Sequence, residues 1–153
     1  MTPDECRDLI RRTMDELGNK GNLDVCDQLY AEHCSFHRPS FPINGVGGLR
    51  DLVSDLRTAQ PDLHIDVHDI HDVHDVHDIL VEGDMTAIRY TMAGTARGEF
   101  RGLPGTCKSY VMPGITIAKW DEGRVVEDWN SYDMLEALQQ IGLVPELAQP
   151  GPQ

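Results

Sequence analysis

Two stretches of this chain hold side chains able to do chemistry. One is "HDIHDVHDVHDI", residues 68–79, four His-Asp-aliphatic triplets in series. Its histidines, His68, His71, His74 and His77, are spaced HxxHxxHxxH with aspartates between them, and neutral imidazole suits Zn, Ni or Cu. The other is "RVVEDWNSY", residues 124–132, where the adjacent carboxylates Glu127 and Asp128 precede Asn130 and Tyr132. Read as a strand, it sets Val126, Asp128, Asn130 and Tyr132 on one face and Glu127 and Trp129 on the other. Burial against apolar side chains raises a carboxyl's pKa toward neutrality, where it can both take and return a proton. If a bulge shifts the register, Glu127 replaces Asp128 as the candidate.

The elements that must position these residues follow from periodicity. "TPDE" reads as a capping box, with Thr2 as cap, Pro3 at the first helical position and Glu5 reaching back. Cys6, Leu9, Ile10, Met14 and Leu17 form a helical stripe, ended by residues 18–21. Asn22 caps a second short helix carrying Leu23, Cys26, Leu29 and Tyr30. "CSFHRPSFPINGVGG" has loop composition. A third helix carries Val46, Leu49, Leu52, Val53 and Leu56, and stops before Pro61. From Leu63 the period becomes two, with Leu63, Ile65 and Val67 alternating with polar residues. "MTAIRYTMAGTA" is a strand with Ile88, Tyr90 and Met92 on one face. "CKSYVMPGITIAKW" is a long strand in which Tyr110 and Met112 share a face and Pro113-Gly114 predicts a bulge or bend. "DEG" at residues 121–123 predicts a hairpin turn into "RVVEDWNSY". Asp133 and Glu136 start a last helix. The order is helices, a meander of strands, then a helix, which predicts an α+β fold with helices packed on a curved antiparallel sheet. A single domain over residues 1–145 and a frayed tail over 146–153 are expected.

Composition narrows the partners. The 153 residues carry a formal net charge of −13, a surface that repels phosphate backbones and anionic membranes. Neither nucleic acid nor membrane is an expected partner. No run of 18 apolar residues exists, and the first residues lack the apolar stretch of a signal peptide, so the expected location is cytoplasmic. The four cysteines show no CxxC spacing and are expected to be reduced.

The second half resembles the SnoaL-like polyketide cyclase family of the nuclear transport factor 2-like superfamily. The resemblance rests on "PDL" at 61–63, "VEGD" at 81–84, "GEFRGLPGT" at 98–106 and "GRVVEDWNSYDMLEALQQIG" at 123–142. The opening helices and "HRP" at 37–39 fit more loosely. The resemblance implies a cone-shaped α+β barrel, a curved sheet around the N-terminal helices, with an apolar pocket inside. Members include cofactor-free aldol cyclases, enzymes that open epoxides or close ethers, and proteins that support hydroxylation. The aldol cyclases use an aspartate on the last strand and a histidine on the strand before it. Those positions are Asn130 and Thr116 here, and an amide is no base near neutral pH. The resemblance places His37 near the cone mouth, where it is a candidate proton shuttle. Asp128, Asn130, His37 and Glu127 are thus the candidate catalytic residues. Tyr90, Met92, Tyr110, Met112, Thr116, Trp129 and Phe41 are the candidate substrate-binding residues. A homodimer or homotetramer is expected.

Against that pattern the triplets stand out as foreign. Removing residues 68–76 leaves "LHIDVHDILVEGD", which fits the family's strand and turn without a gap. A period of three suits neither a strand nor an α-helix. The triplets therefore read as a tandem expansion tolerated at an exposed strand end, and no metal site is assigned to them. The expected function is a cofactor-independent cyclase of secondary metabolism, acting by acid–base chemistry on an apolar polyketide-like or epoxide-containing intermediate. The alternative is a non-catalytic ligand-binding or hydroxylation-supporting protein on the same fold.

Overall fold

The computed structural model describes residues 1–67 and 79–147. Helix α1 spans Pro3–Met14 and continues through a π-helical turn, Asp15–Asn19. Its capping box is present: Glu5 N donates to Thr2 Oγ1 at 3.2 Å, and Thr2 N donates to Glu5 Oε2 at 2.7 Å. A 3₁₀ turn, Leu23–Val25, leads into the one-turn helix α2, Cys26–Leu29. Strand β1, Tyr30–His37, helix α3, Gly45–Ala59, and strand β2, His64–Val67, follow. Strands β3, Ile79–Glu82, β4, Met85–Thr95, β5, Ser109–Asp121, and β6, Arg124–Tyr132, complete the sheet, and α4 spans Met134–Gln140.

The sheet order is β1-β6-β5-β4-β2, with β3 also paired to β4. All pairs are antiparallel except β1·β6, which is parallel. The sheet curves around α1 and α3 without closing, so the barrel is an open cone. Buried side chains of α1 (Leu9, Ile10) and α3 (Leu49, Leu52, Val53) meet the inward faces of the strands in the main core. A second cluster joins Tyr110 and Met112 of β5 to Ala137 and Ile141 at α4. The α1 end is tied to β2 through Asn19, which donates to Ile65 O at 3.1 Å and accepts from Ile65 N at 2.6 Å. Gly18 permits this approach, since a Cβ there would lie 2.5 Å from Ile65 Cδ1.

Four expectations need correction. Tyr30 is not part of the second helix but starts β1, where it pairs in register with Val125. Cys34–His37 is strand rather than loop, because alternation buries Cys34 and half-buries Phe36 against the core. No bulge marks Pro113-Gly114, as β4 and β5 stay in register from Met85↔Lys119 to Thr95↔Ser109. Gly114 instead makes room for Tyr90, whose ring a Cβ would overlap. The irregularity lies elsewhere: Lys119 pairs with Glu127 but Trp120 with Val125, so Val126 is the extra residue and Val125 turns inward. Because the slip falls before Glu127, Asp128 keeps its inward parity.

The hairpin at Asp121–Arg124 forms as expected, with positive φ at Glu122 and Gly123. All four cysteines are free; Cys6, Cys26 and Cys34 are buried and Cys107 is exposed. Among the described residues no helix is long and apolar enough to cross a membrane. None of their His, Cys, Asp and Glu side chains gather into a group of three or more that could hold a metal ion. The triplets at 68–78 lie outside the described residues. Their flanks are informative: Val67 pairs with Tyr90 and Ile79 with Ile88, so only Arg89 of β4 stands between the two ladders.

Candidate active site

The inward faces of β4, β5 and β6 line a cavity of about 180 Å³, bordered on its other sides by α1, α3 and α4. Its walls are largely apolar, from Ile10 and Leu52 on the helices to Phe100 beyond β4. Three residues of β6, at i, i+2 and i+4, project into it: Asp128, Asn130 and Tyr132. Alternation alone sets this spacing.

Asp128 is 5% exposed, with Ala118 of β5 and Phe36 of β1 as its register partners. No described side chain forms a hydrogen bond or ion pair with its carboxyl. Burial pushes its pKa up to about 7, and the charges of Arg38 and then His37 offset only part of that. Near neutral pH both protonation states are therefore populated, as proton transfer in both directions requires.

Asn130 follows Asp128 on the same face of β6. Its Oδ1 accepts two hydroxyls, Tyr90 Oη at 2.8 Å and Thr116 Oγ1 at 3.3 Å. With the carbonyl occupied, the amide NH₂ is the end left to donate to a ligand. Burial raises the Tyr90 phenol to about 12, which keeps it a proton-bearing donor. Tyr132 Oη lies 2.6 Å from Ser40 Oγ, donates to Ser40 O at 3.0 Å and accepts from Arg38 Nη2 at 3.4 Å. The Arg38 guanidinium also lies 5.3 Å from the centroid of the Tyr132 ring. Arg38 Nε is buried and has no hydrogen-bond partner among the described residues.

Of the expected site residues, the structure brings Asp128, Asn130, Tyr90, Met92, Tyr110, Met112, Thr116 and Phe41 to this cavity. It does not bring His37, Glu127 or Trp129 there. These three form their own cluster on the outer face of β1 and β6. His37 Nε2 is 2.9 Å from Glu127 Oε1, and its ring stacks on Trp129 with centroids 5.4 Å apart. The reason is parity. Because β1 runs through His37, Phe36 and Arg38 point inward and His37 outward. Arg38, Tyr30 and Gln60 line the cavity but were absent from the sequence-derived set. The alternation of "FHR" held the signal for Arg38; Gln60, at a helix end, offered none.

A family model described as SnoaL-like polyketide cyclase matches residues 8–141. No curated protein matches the chain in sequence. Among solved structures, it is similar to TsrD from Streptomyces laurentii, at 21% identity over 94% of this chain and 99% of that one, with a TM-score of 0.79. It is also similar to IdmH from Streptomyces antibioticus, named as a candidate polyketide cyclase, at 25% identity over 93% and 99%, TM-score 0.72. A third likeness is to AclR from Streptomyces galilaeus, named as a candidate hydroxylase, at 22% identity over 97% and 91%, TM-score 0.76.

Proposed function

The chain belongs to the SnoaL-like polyketide cyclase family, and we propose that it is a cofactor-independent cyclase in which Asp128 moves the proton. One observation carries this reading. Among the described residues lining the cavity, Asp128 is the sole carboxyl and no histidine accompanies it. Opening an epoxide by an attacking hydroxyl calls for an acid and a base at once. Enolisation followed by ring closure needs one group used twice. The carboxylate takes a proton from a carbon α to a carbonyl, the enolate carbon bonds to a second carbonyl carbon of the same molecule, and the new alkoxide recovers the proton from Asp128. Atoms and charge balance with no further reactant.

Asn130 suits the second half of that task. Two residues apart on one strand face, it stands roughly 6–7 Å along the strand from Asp128. That separation lets a base reach the C–H while an amide N–H reaches the carbonyl oxygen, each at about 3 Å. The acid–base role has thus moved two residues along β6 from the family's position, and the amide has become the oxyanion donor. The apolar walls exclude water and strengthen both interactions.

The test uses a tricyclic ketone, 3,4-dihydroanthracen-2(1H)-one, in deuterated buffer, with NMR following exchange of its α protons. The protein is expected to accelerate exchange, and Asp128→Asn to return it to the buffer rate. A native protein without effect on exchange would favour the non-catalytic or hydroxylation-supporting alternative. We also propose self-association through the outer sheet face. There Val111, Ile115, Ile117 and Trp129 are exposed, an apolar patch that a two-fold axis can bury against its copy. Sedimentation of native protein and Ile117→Lys checks it: a dimer that becomes a monomer is the expected result.

A further inference from the structure

The cavity has a second polar pole, away from Asp128. Gln60 ends α3 and is 7% exposed. Its backbone is held on both sides, N donating to Leu56 O at 2.8 Å and O accepting from Leu63 N at 3.0 Å. Its side chain is held as well: Tyr110 Oη donates to Gln60 Oε1 at 2.5 Å. Gly94 leaves space for this pair, since a Cβ there would lie 2.5 Å from Oε1. The Tyr110 hydroxyl donates to Oε1, so the carbonyl end of the amide is taken. Gln60 lines the cavity, and its NH₂ has no acceptor among the described residues. An amide so buried, so firmly oriented and half used is more than core packing requires.

The two poles set a length. Tyr110 precedes Thr116, the partner of Asn130, by six residues on β5, roughly 20 Å of strand at ~3.3 Å per residue, shortened across the curve of the sheet. Between them the wall is apolar, with Met92 and Met112 on adjacent strands. A neutral N–H donor fits a neutral oxygen, such as a ketone, quinone or phenol, and gives a carboxylate no counter-charge.

We propose that Gln60 binds a second oxygen of the ligand, at the end of the molecule remote from the carbon that loses its proton. The ligand class is then an elongated apolar molecule with a neutral oxygen at each end. This rests on the cyclase reading above, and it makes Gln60 a specificity-determining residue rather than a catalytic one.

The experiment compares 3,4-dihydroanthracen-2(1H)-one with its analogue bearing a hydroxyl at the opposite end of the ring system. The readout is the ratio of their exchange rates per unit concentration, so any general loss of activity divides out. Native protein is expected to favour the hydroxylated ketone about ten-fold, and Gln60→Met to bring the two within about two-fold. Tyr110→Phe, which frees the amide to turn, is expected to fall between. A native protein that exchanges both ketones equally overturns the proposal, as does a preference unchanged in Gln60→Met. If Gln60→Met does not fold, the native ratio and Tyr110→Phe still decide. Exchange of neither ketone sinks the cyclase reading instead, so the two failures are told apart.

Discussion

The inner and outer faces of β6 carry nearly the same chemistry in opposite surroundings. Outside, Glu127 meets His37 at 2.9 Å beside the partly exposed Trp129. Inside, Asp128 has no side-chain partner among the described residues and is 5% exposed. A carboxylate with a histidine looks like the more catalytic arrangement, yet it stands in solvent, where water screens the pair and holds the charge at little cost. The lone carboxyl is the one that burial tunes toward neutrality. Environment separates these neighbours, and the single-residue parity of a strand assigns the environment.

The largest effect should come from exchanging roles across the strand. Asp128→Asn is expected to lower ketone exchange by about 10²–10⁴-fold, the usual range for a general base. Glu127→Gln and His37→Ala are expected to stay within about threefold of native. Comparable losses in all three would erase the distinction between the faces.

Next in size is a stability effect that runs against activity. The Asp128 carboxyl titrates at about 7 when folded and near 3.9 when unfolded. The folded state therefore holds this proton more tightly. Its contribution to stability is full below pH ~4, declines between ~4 and 7, and is gone above 7. That difference corresponds to roughly 4 kcal/mol. Asp128→Asn removes that penalty, so urea unfolding at pH 8 should find the variant more stable by a few kcal/mol, with the gap closing at pH 4. A variant weaker than native at pH 8 would mean that the carboxylate is stabilised rather than strained.

Much of this contrast was legible in the residues. Alternation in "EDWN" separated Asp128 from Glu127, and the pairing of Ile88, Tyr90 and Met92 on one face followed from period two. What was not legible depended on partners distant in sequence. Nothing local says that Tyr30 leaves its helix, because its strand exists only by pairing with β6. The family resemblance puts His37 near the cone mouth, whereas β1 carries it to the outer face beside Glu127. Alternation alone puts Val126 on the face of Asp128, and the bulge that displaces it depends on the strand opposite. Pro113-Gly114 raised a false bulge signal, its glycine serving the Tyr90 ring instead.

The smallest effect is expected from the most conspicuous stretch. Only Arg89 separates the β2 and β3 ladders on β4, while residues 68–78 join them in sequence. Deleting 68–76 would leave two residues facing one, an ordinary β-bulge. The deletion should change unfolding free energy by less than about 1 kcal/mol and leave ketone exchange near native. Loss of exchange in the deletion variant would give the triplets a role at the cavity.

The central claim is that the buried carboxyl on β6 is poised to move a proton at neutral pH. Its most direct test is a titration of the native protein followed by the ¹³Cγ resonance of Asp128, assigned by comparison with Asp128→Asn. A midpoint at about 7 is the predicted result. A midpoint near 4, the ordinary carboxylate range, would contradict it.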